Sequence, residues 1–153
     1  MTSPRVGGAS YDGVVATLDD LRRTADRLPG SQERAMTGGA AWFVRNKLYA
    51  WECHPWPSIP PDIRAIVASE LVVGVKVADR WDALALVDMA PEVFLQTTTP
   101  WGEPKIAFRM ARIPHDHLAE LVTEGWRVQA PAYLRRELDE REGDDLDDRE
   151  AGE

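Results

Sequence analysis

The strongest constraint on the fold is a β segment in the middle of the chain, from Glu70 to Val77. Side chains alternate between the two faces of a strand. One face of this segment is apolar throughout and consists of Leu71, Val73, Val75 and Val77. The other face carries Lys76. This pattern predicts a sheet with one face against helices and a second face that displays a cation.

Four further strands are predicted around this segment. Residues 40–53 favour a hairpin with its turn at Asn46-Lys47, because aromatic and β-branched residues flank a short polar break. Phe94 to Thr98 and Lys105 to Ala111 also read as strands. In the latter, Ile106, Phe108 and Met110 point inward.

Helices are predicted between and after the strands. Thr17 and Asp20 resemble a capping box for a first helix that ends at Pro29-Gly30. Asp79 caps a second helix, Pro114 suits the first turn of a third, and Pro131 begins a terminal helix that runs to Leu138.

A proline-rich excursion separates the hairpin from the central strand. Its four prolines, Pro55, Pro57, Pro60 and Pro61, forbid a strand, and a short helix from Asp62 to Ala68 follows the last of them.

This order of elements predicts an α+β fold with two layers. We expect a mostly antiparallel sheet of about five strands with helices packed on one face. The predicted domain covers residues 14–138, between a disordered leader at 1–13 and a disordered acidic tail at 139–153.

The formal charge of -8 comes almost entirely from the end of the chain. Between Glu137 and Glu153 there are ten acidic residues against two arginines, so residues 1–136 are neutral. The tail is a solvated spacer or, alternatively, a polyanion mimic that competes for a basic surface. A neutral body lacks the positive excess of a typical DNA-binding domain.

Other features indicate a cytoplasmic protein with no membrane partner. Cys53 is the single cysteine, which rules out an internal disulfide, and the first residues lack the apolar core of a signal peptide. No run approaches the roughly 20 apolar residues that span a bilayer.

No catalytic or metal-binding motif is evident, so we expect no enzyme, no cofactor and no metal. His115 and His117 lie two positions apart and do not share a helical face. Cys53-His54 is adjacent in sequence, but a nucleophile and its base need a third, orienting group. The glycine pairs at Gly7 and Gly38 belong to no nucleotide-binding fingerprint.

A cationic surface is the main functional hypothesis. Alternation places Lys76, Lys105 and Arg109 on the sheet face away from the helices. Arg45 and Lys47 flank the hairpin turn. Tyr49, Trp51 and Trp101 could add aromatic surfaces. The predicted contact residues are Lys76, Arg109, Arg45, Lys47 and Trp101. The simpler interpretation is a solvated face whose cations form ion pairs with residues such as Glu52 and Glu70.

The six tryptophans divide into two groups. Trp81 and Trp126 lie on apolar helical stripes and are predicted to be core residues. Trp56, between prolines, and Trp101, in a turn, have no evident packing partner and are better contact candidates.

Several segments together resemble the YjbR/MmcQ-like family. They are Leu28-Pro29-Gly30, residues 41–50, Val75-Lys76-Val77, residues 91–94, and residues 118–133 with Trp126 and Ala130-Pro131. The resemblance spans roughly 120 residues. It implies a compact two-layer α+β domain of a bacterial family that is often labelled DNA-binding, with no catalytic residues to transfer.

Two functions follow as hypotheses. The first is a non-enzymatic domain that binds nucleic acid through phosphate contacts and base stacking. The alternative is a module for a small anion or a protein partner, with the sheet edge or the proline-rich loop as a dimer surface. An uncharacterised enzyme ranks third, behind these two.

Overall fold

A computed structural model describes residues 15–97 and 103–151, and side chains up to residue 144. Within these residues lie five α-helices and six strands. The helices are α1 (Leu18–Asp26), α2 (Pro61–Ser69), α3 (Arg80–Met89), α4 (His115–Gln129) and α5 (Ala132–Ala151). The strands are β1 (Ser31–Met36), β2 (Gly39–Val44), β3 (Lys47–Glu52), β4 (Val72–Lys76), β5 (Phe94–Leu95) and β6 (Lys105–Arg109).

The strands form one antiparallel sheet in the order β1-β2-β3-β4-β6-β5. The predicted α+β class is confirmed, with one strand more than expected. The additional strand is β1, whose sequence SQERAM is too polar to stand out as a strand. It forms an edge of the sheet and pairs only with β2, so most of its side chains meet solvent.

The β2–β3 hairpin is confirmed, with its turn one residue earlier than predicted. Arg45 and Asn46 have φ angles of 50° and 67°, the left-handed pair that a two-residue type I′ turn requires. The register shifts between Trp42 and Phe43, since Trp42 faces Ala50 while Phe43 faces Leu48. Tyr49 is therefore the extra residue of a bulge. It is buried, and its hydroxyl lies 2.6 Å from Ser31 Oγ.

The main core lies between one face of the sheet and helices α1 and α4. The predicted inward residues Val73, Val75, Ile106 and Phe108 belong to it, whereas Leu71, also predicted to point inward, is exposed before β4 begins. Helix α4 approaches the sheet closely because Gly125 has no side chain: a Cβ there would lie 2.9 Å from the Tyr49 carbonyl oxygen. This close contact holds β3 and β4 against the helix.

The opposite face of the sheet is partly covered by α2. Val67 of this helix packs with Val72, Leu95 and Ala107, which alternate with the core residues of β4, β5 and β6. The prediction placed helices on one face only. The alternation of side chains determines which of them share a face of the sheet, but it does not determine which other elements cover that face. Here the proline-rich segment leads the chain into α2, which covers part of the second face.

Trp81 is a correction to the predicted core. Its side chain is 65% exposed, whereas Trp126 is fully buried and donates a hydrogen bond from Nε1 to the Pro29 carbonyl oxygen at 3.0 Å. Helix α3 has apolar residues on several sides and buries Ala83 instead. When apolar residues lie on several sides of a helix, their periodicity does not select the side that is buried.

The terminal helix is longer than predicted, since α5 continues past Leu138 to Ala151. Arg141 pairs with Glu137 at 2.6 Å, and Arg127 of α4 pairs with Asp139 at 2.9 Å. The first pair has helical i,i+4 spacing, and the second joins α5 to α4; both support an otherwise polar helix. The division of the chain into leader, domain and tail stays a prediction, and the leader at 1–13 lies outside the described residues.

No helix in residues 15–97 or 103–151 is long and apolar enough to cross a membrane.

We expect Gly125→Ala to destabilise the protein by about 1–3 kcal/mol, because the added methyl group meets the backbone of β3. Gly143→Ala is the matched control, since nothing lies within 4 Å of a Cβ in its place on α5. The control should leave stability unchanged or raise it by up to about 1 kcal/mol. Urea unfolding measures both variants, and equal effects would contradict the proposed close contact.

Trp126→Ala and Trp81→Ala test the corrected core. Loss of the buried indole should cost about 3–5 kcal/mol, whereas loss of the exposed one should cost less than about 1 kcal/mol. Thermal unfolding followed by circular dichroism measures the difference. A cost for Trp81→Ala as large as that for Trp126→Ala would contradict the exposed position.

Candidate functional site

The part of the second sheet face that α2 leaves uncovered forms a cleft of about 390 Å³. Its floor is made by Trp51, Lys76 and Lys105, and the proline-rich segment after β3 contributes a wall. The wall residues are His54, Trp56, Ser58 and Ile59. The turn from Met36 to Gly38 and Thr97 close the remaining sides.

The indole of Trp51 lies flat on the backbone of the central strand. A Cβ at Gly74 would come within 2.4–2.6 Å of three indole atoms, so only glycine allows the ring to lie there. Trp51 and Gly74 are direct partners across β3 and β4, and Gly74 in turn faces Ala107 of β6. The missing side chain of Gly74 therefore leaves the space that the Trp51 ring occupies on β4.

Two lysines flank this ring. Lys76 and Lys105 are direct partners across β4 and β6, and each ammonium nitrogen lies 5.7 Å from the centroid of the Trp51 ring. At this distance a cation is attracted by the negative charge of the ring face. The cleft thus combines two cations and one aromatic surface, which is the arrangement expected for a flat, anionic ligand.

The lysines differ in their surroundings. The side chain of Lys76 is only 7% exposed, and its Nζ lies 2.7 Å from Glu103 Oε2. This hydrogen bond, with help from the charge of Lys105, holds the pKa of the Glu103 carboxyl below its usual range. Among residues 15–97 and 103–151, no carboxylate lies within ion-pairing distance of Lys105.

Arg109 lies on the predicted face but far from the cleft. It is four residues from Lys105 on the same strand, which is roughly 13 Å along β6. Its guanidinium is bidentate to Glu70, with Nε–Oε1 and Nη2–Oε2 distances of 3.0 and 2.6 Å. This pair holds the pKa of Glu70 below its usual range. Arg109 therefore forms an ion pair with Glu70, as the simpler interpretation of this sheet face predicted.

Two other predicted contacts, Arg45 and Lys47, do not line the cleft either. Arg45 hydrogen-bonds to the Tyr133 hydroxyl, and its guanidinium carbon is 5.9 Å from the centroid of that ring. Lys47 is exposed at the hairpin end of the sheet. Trp101 lies outside the described residues. Of the four predicted residues that the structure describes, Lys76 alone lines the cleft.

Three cleft residues were missed as primary contacts, and two of them leave a signal in the sequence. Lys105 was placed on the correct face, and Trp51 was noted as a neighbour. The signal for Trp51 is Gly74, because a glycine inside a valine-rich strand marks a close approach. His54 has no such signal. Its ring lies 4.3 Å from that of Trp56 at an angle of 57°, a contact that depends on the path of the proline-rich loop.

Cys53 is not activated as a nucleophile. Burial raises the pKa of its thiol to about 12, so the thiol stays protonated at neutral pH. His115 Nδ1 lies 3.1 Å from Asp116 Oδ1. In the described part of the chain there is no group of three or more His, Cys, Asp or Glu residues that could hold a metal ion.

We expect Cys53 to react slowly with Ellman's reagent in the folded protein. At pH 8 a thiol with a pKa of about 12 has far less thiolate than a free cysteine, whose pKa is about 8.5. The reaction should therefore be at least about a hundredfold faster after unfolding in concentrated urea. Equal rates in the folded and unfolded protein would show that the thiol is not held protonated.

The fold and the cleft define the class: a single-sheet α+β domain with a concave, cationic and aromatic surface beside a covering helix. The crystal structure of Deinococcus radiodurans protein DR2400, a DUF419 domain, shares this fold with a TM-score of 0.56. The match covers 81% of this chain and 88% of that one at 20% identity, which establishes the fold alone. No family model matches the chain.

Sequence comparison then gives the family. The chain is 36% identical over 124 residues to the uncharacterized protein Rv2570 of Mycobacterium tuberculosis. It is equally similar to the uncharacterized protein Mb2600 of Mycobacterium bovis. Each match covers 78% of this chain and 93% of the relative. The chain therefore belongs to the family of these mycobacterial proteins.

Proposed function

We propose that the chain is a non-enzymatic binding domain of the YjbR/MmcQ-like type, whose cleft holds a small molecule with a planar ring and an anionic group. The observation that carries this proposal is the position of Lys76 and Lys105, each 5.7 Å from the ring of Trp51. The ligand ring packs beside the indole, and its anionic group meets the two ammonium groups.

The shape of the site supports a small ligand. A volume of about 390 Å³ falls within the range of roughly 300–1,000 Å³ that small-molecule sites occupy. The lining combines apolar surface, from residues such as Ile59 and Leu48, with a few charged groups that can fix orientation. Since Lys76 is almost fully buried, its charge acts in surroundings where water screens it little.

The side chains that line the cleft support a binding function without catalysis. Cys53 lines the cleft, and burial raises the pKa of its thiol, which keeps it protonated at neutral pH. His54 packs its ring against Trp56 rather than beside a hydroxyl or thiol partner, which supports a role in shaping the wall.

Nucleic acid is the second candidate, and one contact favours it. The guanidinium of Arg34 lies 4.4 Å from the centroid of the Phe43 ring. Phe43 faces Leu48 and Arg34 faces Ala41, and both partners line the cleft, so the cation–aromatic pattern continues across β1 and β2. Bases of a single strand stack on such surfaces. The small ligand is the better proposal because Arg109 is paired with Glu70 and Arg45 with Tyr133, both away from the cleft.

Two variants and a matched control test these functions. Lys105→Ala and Trp51→Leu should each weaken the binding of phenyl phosphate by about tenfold or more, since each removes a direct contact. Lys47→Ala removes the same charge from the exposed hairpin end and should leave this affinity unchanged. Isothermal titration calorimetry measures all three against the unaltered protein.

The same proteins titrated with a single-stranded thymidine oligonucleotide separate the two candidates. A polynucleotide site should lose affinity in Lys47→Ala as well and weaken steeply as salt rises. Tight, salt-sensitive binding of the oligonucleotide without binding of phenyl phosphate would overturn the small-ligand proposal. Equal affinity for phenyl phosphate in Lys105→Ala and the unaltered protein would also overturn it.

A further inference from the structure

The carboxylate of Glu103 occupies the place where a ligand anion would bind. It lies 2.7 Å from Lys76 Nζ, and its pKa also responds to the charge of Lys105. Both lysines approach the Trp51 ring to the same distance. Glu103 therefore shares the two cations that the proposed ligand requires.

Glu103 can leave this position at low cost to the fold. Its side chain is 63% exposed, so the carboxylate meets water as soon as it turns away. The backbone beside it is fixed, because the amide of Val77 donates to the Pro104 carbonyl oxygen at 3.3 Å. Only the side chain of Glu103 has to move.

Lys76 cannot lose its partner so easily. A cation that is only 7% exposed is destabilised without a compensating anion. Glu103 therefore leaves Lys76 when another anion takes its place. The exchange removes the Glu103 carboxylate from the two ammonium groups, and a ligand group with two negative charges takes its place.

We propose that the ligand carries a phosphomonoester, whose dianion displaces Glu103 from Lys76 and binds between Lys76 and Lys105. Glu103 is thus an internal competitor that weakens the binding of every anion by the same factor. The preference for a dianion comes from the two cations that remain. This inference rests on the proposed function of the cleft and adds the chemical class of its ligand.

Glu103→Gln tests the competition, because it removes the charge and keeps the size of the side chain. Phenyl phosphate should bind to this variant about fivefold more tightly than to the unaltered protein. Glu120→Gln is the matched control: it removes the same charge from the exposed surface of α4, on the helical side of the sheet, and should not change the affinity. Calorimetry at constant salt and pH measures all three proteins.

Three probes test the ligand class with the unaltered protein. Benzoate, a monoanion with a ring, should bind about tenfold more weakly than phenyl phosphate. Inorganic phosphate, which lacks the ring, should also bind more weakly, because it does not reach Trp51. Benzoate and phenyl phosphate of equal affinity would overturn the assignment of a dianion.

Failure of this inference can be distinguished from failure of the proposed function. If Glu103→Gln weakens binding or leaves it unchanged while Trp51→Leu and Lys105→Ala abolish it, the cleft binds the ligand and Glu103 only positions Lys76. If neither phenyl phosphate nor benzoate binds to the unaltered protein or to Glu103→Gln, both the proposed function of the cleft and the proposed role of Glu103 as a competitor are overturned.

Discussion

The contact between the Trp51 indole and the backbone of Gly74 is the interaction on which the rest of the site depends. Strand β4 is in close contact on both sides: Gly125 of α4 lets the helix approach one face, and Gly74 lets an aromatic ring lie on the other. A side chain at Gly74 would lift the indole from the sheet. The two lysine nitrogens would then lose their common neighbour, and the floor of the cleft would no longer be flat.

The burial of Lys76 follows from this packing. The side chain leaves β4 beside the indole of Trp51, so most of its length is covered before the ammonium group reaches Glu103. A buried ammonium group without a carboxylate or a ligand anion would cost several kcal/mol on the scale of buried charges. Lys76 therefore needs an anion beside it. In the proposed exchange this anion is either the carboxylate of Glu103 or the anionic group of the ligand.

The sequence predicts the faces of the strands better than it predicts their surroundings. Alternation correctly separates Val73 and Val75 from Lys76, because a strand has only two faces. It cannot place Arg109 relative to the cleft, since this depends on where α2 crosses the sheet. The predicted burial of Trp81 is wrong for a similar reason, because α3 carries apolar residues on several sides and its pattern does not select the buried one. The ring contact between His54 and Trp56 depends on a loop path that no periodicity describes.

The distribution of charge favours a small ligand over a polymer. A polynucleotide needs several cations along an open surface, because its affinity comes from the release of many counterions. Here Arg109 is bound to Glu70 and Arg45 to Tyr133, so two of the predicted cations already have partners away from the cleft. At Trp51, by contrast, two ammonium groups converge on one ring within a concave wall. Convergence at one point suits a ligand whose own charge is concentrated in a single group.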